Sequence, residues 1–212
     1  MNNIEKVKQP EGQVSFVLHR GGEFNPQTGK VEGGEIIAEK EVKNLIVETA
    51  SVLMARRLAP GDSPTDPEPD TPLAAINGLQ YLAVGVGELQ NPSENYDPIS
   101  NKTTWDLQNP PKEQPETKKL AGEIFRKSFT NWSFMSGDIP SSMPTNVLRL
   151  VTTFDTNEAA GPLVEMGLFG GDATDWSGGA GKNTGIMFNY KTFPVWNKPA
   201  DAQLTITWKL TF

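Results

Sequence analysis

The last nine residues, LTITWKLTF, alternate with a period of two. Leu204, Ile206, Trp208, Leu210 and Phe212 fall on one side and Thr205, Thr207, Lys209 and Thr211 on the other. This is the pattern of a half-buried strand, and threonine suits the solvent side of a pleated sheet. The same period recurs upstream. Val14, Phe16 and Leu18 alternate with Ser15, Val17 and His19, with a return strand over 36–42. LQYLAV at 79–84 is a short apolar strand, and Leu148, Leu150, Thr152 and Phe154 alternate against Val147, Arg149, Val151 and Thr153. Further strands are expected at 163–169 and 186–190. EIFRKSFTNWSFM, 123–135, reads as one strand with apolar residues on both parities, which predicts a bulge or burial on both faces. The Gly-Gly, Asn-Pro and Thr-Gly pairs between His19 and Glu35 predict a hairpin with a long or bulged tip.

A helical period shows once. Asn44 suits an N-cap, and LIVETASVLMARRLA after it carries an apolar stripe, with Glu48 in the first turn and Arg56-Arg57 in the last before Pro60-Gly61. This predicts a helix over 44–58. Two unpatterned stretches remain. PGDSPTDPEPDTP (60–72) must be extended and exposed. Residues 88–119, with prolines at 92, 98, 110, 111 and 115, form an excursion that packs on a neighbour or binds something. The fold expected is mainly β: an antiparallel β-sandwich with one early α-helix and long Pro/Gly-rich loop insertions. Residues 1–42 would be an N-terminal arm and hairpin, and 43–212 the sandwich domain.

Composition sharpens this picture. The 20 glycines and 17 prolines explain why only 36% of the chain is hydrophobic: much of it is turn. A net charge of -7 with basic residues no denser than the pairs Arg56-Arg57 and Lys118-Lys119 argues against a nucleic-acid surface. The absence of cysteine excludes disulfides, thiolate catalysis and thiolate-bound metals. The polar start, MNNIEKVKQPEG, is not a secretory signal, and no run is long enough to span a bilayer.

The candidates for chemistry are sparse. His19, the sole histidine, closes a strand with no nucleophile nearby in sequence, so a surface or edge position is expected. GVGEL (85–89) lacks the Lys-Ser/Thr of a phosphate loop and reads as a strand end turning through glycines. Asp66, Glu68 and Asp70 alternate with prolines, which points carboxylates along a solvated rod rather than around a cation. GGDATDWSGGAGKNTG (170–185) is a flexible loop by its glycines. Its Asp172, Asp175 and Trp176, with Trp105 elsewhere, are the residues available for a glycan or partner contact. No catalytic, cofactor or metal residue is nominated.

Taken in order, KNLIVETASVLMARRLA (43–59), YLAVGVG (81–87), GEIFRKSF (122–129), AAGPLVEMGLFGG (159–171), IMFNYKTFP (186–194) and the terminal LTITWKLTF resemble a family of small virion proteins of tailed bacteriophages, associated with tail, baseplate or fibre assemblies. The resemblance implies a non-enzymatic structural protein without cofactor, made in the host cytoplasm and placed in the virion. Its partners would be further copies, as a trimer or ring, and other tail or baseplate proteins, with neither nucleic acid nor membrane. Among the matched residues, Arg126 pairing with Glu123 or Glu165 would make a bidentate link that fixes register between strands or subunits. The alternative is a carbohydrate- or receptor-binding module at a fibre tip, resting on Trp105, Asp172, Asp175 and Trp176, with a carboxylate-based glycan hydrolase as a third reading.

Overall fold

The computed structural model describes residues 11–47, 50 and 77–212. The chain is mainly β and antiparallel. In order, its strands are β1 (Glu11–Arg20), β2 (Glu23–Asn25), β3 (Lys30–Glu32), β4 (Glu35–Ile46), β5 (Asn77–Gly85), β6 (Glu123–Ser128), β7 (Asn131–Ser136), β8 (Ile139–Ser141), β9 (Val147–Phe154), β10 (Gly161–Gly171), β11 (Ile186–Lys198) and β12 (Gln203–Thr211). Ten of them form one sheet in the order β6-β5-β10-β11-β4-β1-β12-β9-β7-β8, and β2 pairs with β3 alone.

The end of β4 is the joint of that sheet. Its length pairs with β1, and then Leu45 and Ile46 pair with Tyr190 and Asn189 of β11. This joins a six-stranded part to a four-stranded one. Apolar side chains from both parts meet in a shared core: Phe16 of β1 lies edge-on to Phe193 and Trp196 of β11 at 5.0 and 5.1 Å, and Phe125 of β6 to Phe154 of β9 at 6.0 Å; a smaller cluster including Phe169 and Tyr190 lies apart from it. Alternation therefore has the consequence the sequence predicts: Leu204, Ile206, Trp208 and Leu210 of β12 are all buried in that core. Burying each such side chain contributes about 1.5–3 kcal/mol. Phe212 lies past the end of β12 and is half exposed.

Two expectations change. Asn44 does not cap a helix; Asn44, Leu45 and Ile46 continue β4, because pairing with two partner strands outweighs a local capping signal. Apart from Val47 and Ala50, the rest of the expected helix and the whole acidic loop 60–72 lie outside the described residues. Second, 123–135 is not one strand. It breaks at Phe129-Thr130 into β6, which pairs with β5, and β7, which pairs with β9. The two strands lie near opposite ends of the sheet order, so the mixed parity records a crossing from one part to the other. The 88–119 excursion is a folded loop bonded to its own chain. Buried Asn101 accepts from the Asn91 N–H and donates to the carbonyls of Asn91 and Asn95. Further along, the Val195 N–H donates to Leu107 O at 2.7 Å, the Thr192 hydroxyl to Pro111 O at 2.7 Å, and Glu113 pairs with Lys191. The expected hairpin between β1 and β4 is present, tipped by β2 and β3.

Candidate functional site

Glu123, Arg126 and Glu165 fall in one buried polar region, and local backbone makes it possible. Residues i and i+3 of a regular strand face opposite ways. In β6, Gly85 stands opposite Glu123 and Val84 opposite Phe125, so Ile124 is an extra residue and the parity shifts there. Glu123 and Arg126 thereby reach the same side. Arg126 Nε donates to Glu123 Oε1 at 2.6 Å and a terminal nitrogen to Oε2 at 2.9 Å, with both side chains fully buried. The other terminal nitrogen donates to the carbonyls of Thr174 and Thr184 at 3.3 and 3.0 Å and to the Thr184 hydroxyl at 3.0 Å. The guanidinium lies 4.5 Å over the Phe169 ring. Glu123 Oε2 also accepts from the Asn183 N–H at 2.9 Å. The bidentate pair is therefore within one strand, and what it fixes is the 171–185 loop against β6.

Glu165 does not pair with Arg126. It lies fully buried on β10, and its oxygens accept from the N–H groups of Gly122 (2.7 Å), Ala121 (3.0 Å) and Gly87 (3.2 Å) and from the Tyr190 hydroxyl (2.9 Å). Burial pushes its carboxyl above the ordinary value, against the opposing pull of those four donors. Burial and the adjacent Glu165 push the Tyr190 hydroxyl up as well. Gly87 precedes the 88–119 excursion and Ala121-Gly122 follow it, so one carboxylate clamps both ends of that loop. The Val86 N–H bonded to Gly122 O at 2.9 Å closes the same neck.

Three glycines exist for this clamp. A Cβ on Gly85 would lie 2.5 Å from Glu165 Oε1, one on Gly122 would lie 1.9 Å from Gly87 O, and one on Gly87, at φ +81°, would lie 2.6 Å from the Trp105 ring. The Gly-Val-Gly at 85–87 is thus a strand end shaped around a carboxylate and an indole. Sequence reading missed Glu165's true partners, all more than twenty residues away; the glycines at 85, 87 and 122, one at the end of β5 and two flanking the excursion, were the available signal.

The remaining candidates are placed as follows. Trp105 rests on Gly87 at the neck of the excursion, and Trp176 stacks on Phe125 at 5.6 Å. Asp172 and Asp175 are exposed, and Asp175 accepts from the Ser177 hydroxyl. The structure thus supports the two tryptophans on different elements. His19 is not at the surface: it is fully buried, with Nδ1 donating to Gly21 O at 2.6 Å and Nε2 accepting from the Thr205 hydroxyl at 2.9 Å. Thr153 and Thr205 hydroxyls lie 3.0 Å apart, extending the chain of hydrogen bonds. The His19 ring lies on the side of β1 shared with Val17 and Thr205, in regular register opposite Gln203; the bulge at Leu18/His19 adds Ile37 to β4 and leaves that register unchanged. Among the described residues no group of His, Asp and Glu is arranged to hold a metal ion, and no helix is long and apolar enough to cross a membrane.

No protein-family model matches the chain, and no curated protein matches it.

Proposed function

We propose that this chain is a non-enzymatic structural component of a tailed-phage virion, a tail, baseplate or fibre-attachment protein. In this reading the folded ten-stranded sheet is a β-sandwich that acts through oligomerisation and protein contacts. One observation carries it. Three charged residues of the motifs singled out in the sequence, Glu123, Arg126 and Glu165, are fully buried and their hydrogen bonds are consumed in holding two long loops to the sheet. Groups used this way position backbone; they do not face a substrate. Loops so anchored present stable surfaces to neighbouring chains.

The test is to band particles of the encoding phage on a density gradient and quantify this chain in them. A fixed copy number per particle, retained through high-salt washing, is expected. A chain found only in the soluble lysate contradicts the proposal. The alternative, a carbohydrate- or receptor-binding module, draws on exposed Asp172 and Asp175 beside Trp176. A glycan screen in which Asp175→Ala/Trp176→Ala abolishes binding would favour it.

A further inference from the structure

The core face of the six-stranded part is wider than what covers it. Cross-strand partners share a face, so the register Trp208–Leu150–Trp132 and Leu210–Leu148–Phe134 carries that face outward from β12 through β9 to β7. Ser136 opposite Ile139 carries it onto β8, the last strand. Burial falls along the same path. Leu150 is in the core, whereas Trp132 is 61% exposed and Ile139 71% exposed. Phe212, which continues the pairing of β12 with a bond from its N–H to Asn146 O, is 48% exposed and touches Phe188 of β11 at the border of the covered region. Trp132 and Phe134 stand edge to face at 5.8 Å, forming a firm aromatic ledge.

The composition of this ledge is unlike the rest of the chain. From Ser128 to Leu148 the only charged residue is Asp138, in a protein that is 21% charged and has a net charge of -7. Charge depletion with Trp, Phe and Met enriched is the mark of an interface centre. Its neutrality also selects the partner. Two copies carrying the same negative charge repel over most of their surfaces, and this uncharged face is where they can meet without opposing like charges. A basic partner would gain nothing here. Trp132, Ile139, Phe212 and Met143, on the loop after β8, expose on the order of 500 Å² of apolar surface, the upper range for a monomer. Doubled in a symmetric contact, about 1,000 Å² reaches the lower bound of a specific interface.

We infer that the Trp132/Phe134/Ile139/Phe212 ledge is a same-on-same interface between two copies of this chain. The inference rests on the assembly reading above and gives it a contact surface, a two-fold pair from which larger rings can be built. Because the protein has no cysteine, a single introduced one is unambiguous. Full-length Ile139→Cys, mildly oxidised at micromolar concentration, is expected to form a disulfide-linked dimer. Ile99→Cys, on the excursion and 87% exposed, serves as control and should remain largely monomeric. In parallel, Trp132→Lys/Ile139→Lys should weaken self-association at least ~tenfold, with a melting temperature like that of wild type at concentrations low enough for both to be monomeric, because exposed side chains contribute little to folding. Equal cross-linking of the two cysteine variants, or a solution mass unmoved by the lysines, overturns the ledge. So does an Ile139→Cys thiol shielded from reagent within a monomer, which would mean the chain covers its own ledge. An oligomer indifferent to these changes removes the ledge alone, whereas absence from banded particles removes the virion reading.

Discussion

Glu165 and Arg126 show how a buried charge is kept. Each oxygen of Glu165 receives two donors, and every nitrogen of Arg126 has a partner. Removing one member leaves the others buried without partners, which costs more than the net worth of the pair. Arg126→Met should therefore destabilise by roughly 3–5 kcal/mol, read by thermal or denaturant unfolding. The double variant Glu123→Leu/Arg126→Met should cost less than the sum of its singles; strict additivity would contradict coupling. Glu165 adds a pH signature. Its folded value is raised, so its contribution is complete below the ordinary 4.5 and lost as pH climbs through the raised value. The stability advantage of wild type over Glu165→Gln should widen as pH falls from neutral toward 4.5. A gap that narrows on acidification would mean that the site holds its carboxylate below the ordinary value.

At the scale of elements, what was legible depended on whether the cause was local. β12 could be read from its alternation, since its Leu204, Ile206, Trp208 and Leu210 face the core; β9, buried on both parities, was still legible as a short β-branched and apolar run. Glu123 and Arg126 were recognisable as a pair of the right chemistry, while Glu165's role was not, because its donors come from residues brought near only by folding. β6 and β7 looked like one strand because nothing in EIFRKSFTNWSFM says that its halves have different partners. Asn44 carried a capping signal that strand pairing overrode. The order of 88–119 was hidden because its bonds follow no periodic pattern: some run from side chain to backbone, as at Asn101, others join backbone groups far apart in the chain, as Val195 to Leu107, and Glu113 reaches to β11. This excursion yields its own prediction. With both ends clamped by Glu165, it should resist limited proteolysis in the wild type and be cut within 88–119 in Glu165→Ala, before global unfolding. Equal resistance in both would show that Glu113, Thr192 and Val195 suffice to hold it. Acid acts on the Glu113 tether in the opposite sense to Glu165. Burial raises that carboxyl, yet Lys191 and the Thr192 N–H bring it below its ordinary value, so its contribution is present above 4.5 and lost as pH falls through the lowered value.

At the scale of the whole molecule, Glu123, Arg126 and Glu165 are spent on architecture, two long loops are fastened to the sheet, and an uncharged aromatic face is left open at one end. In the reading proposed above, these features belong to a part made to meet other parts. The central claim is therefore about mass in solution. Light scattering on the purified full-length chain across a hundredfold range of concentration is predicted to give a discrete multiple of 23.2 kDa that dissociates on dilution. A single 23.2 kDa species at every concentration would contradict the account.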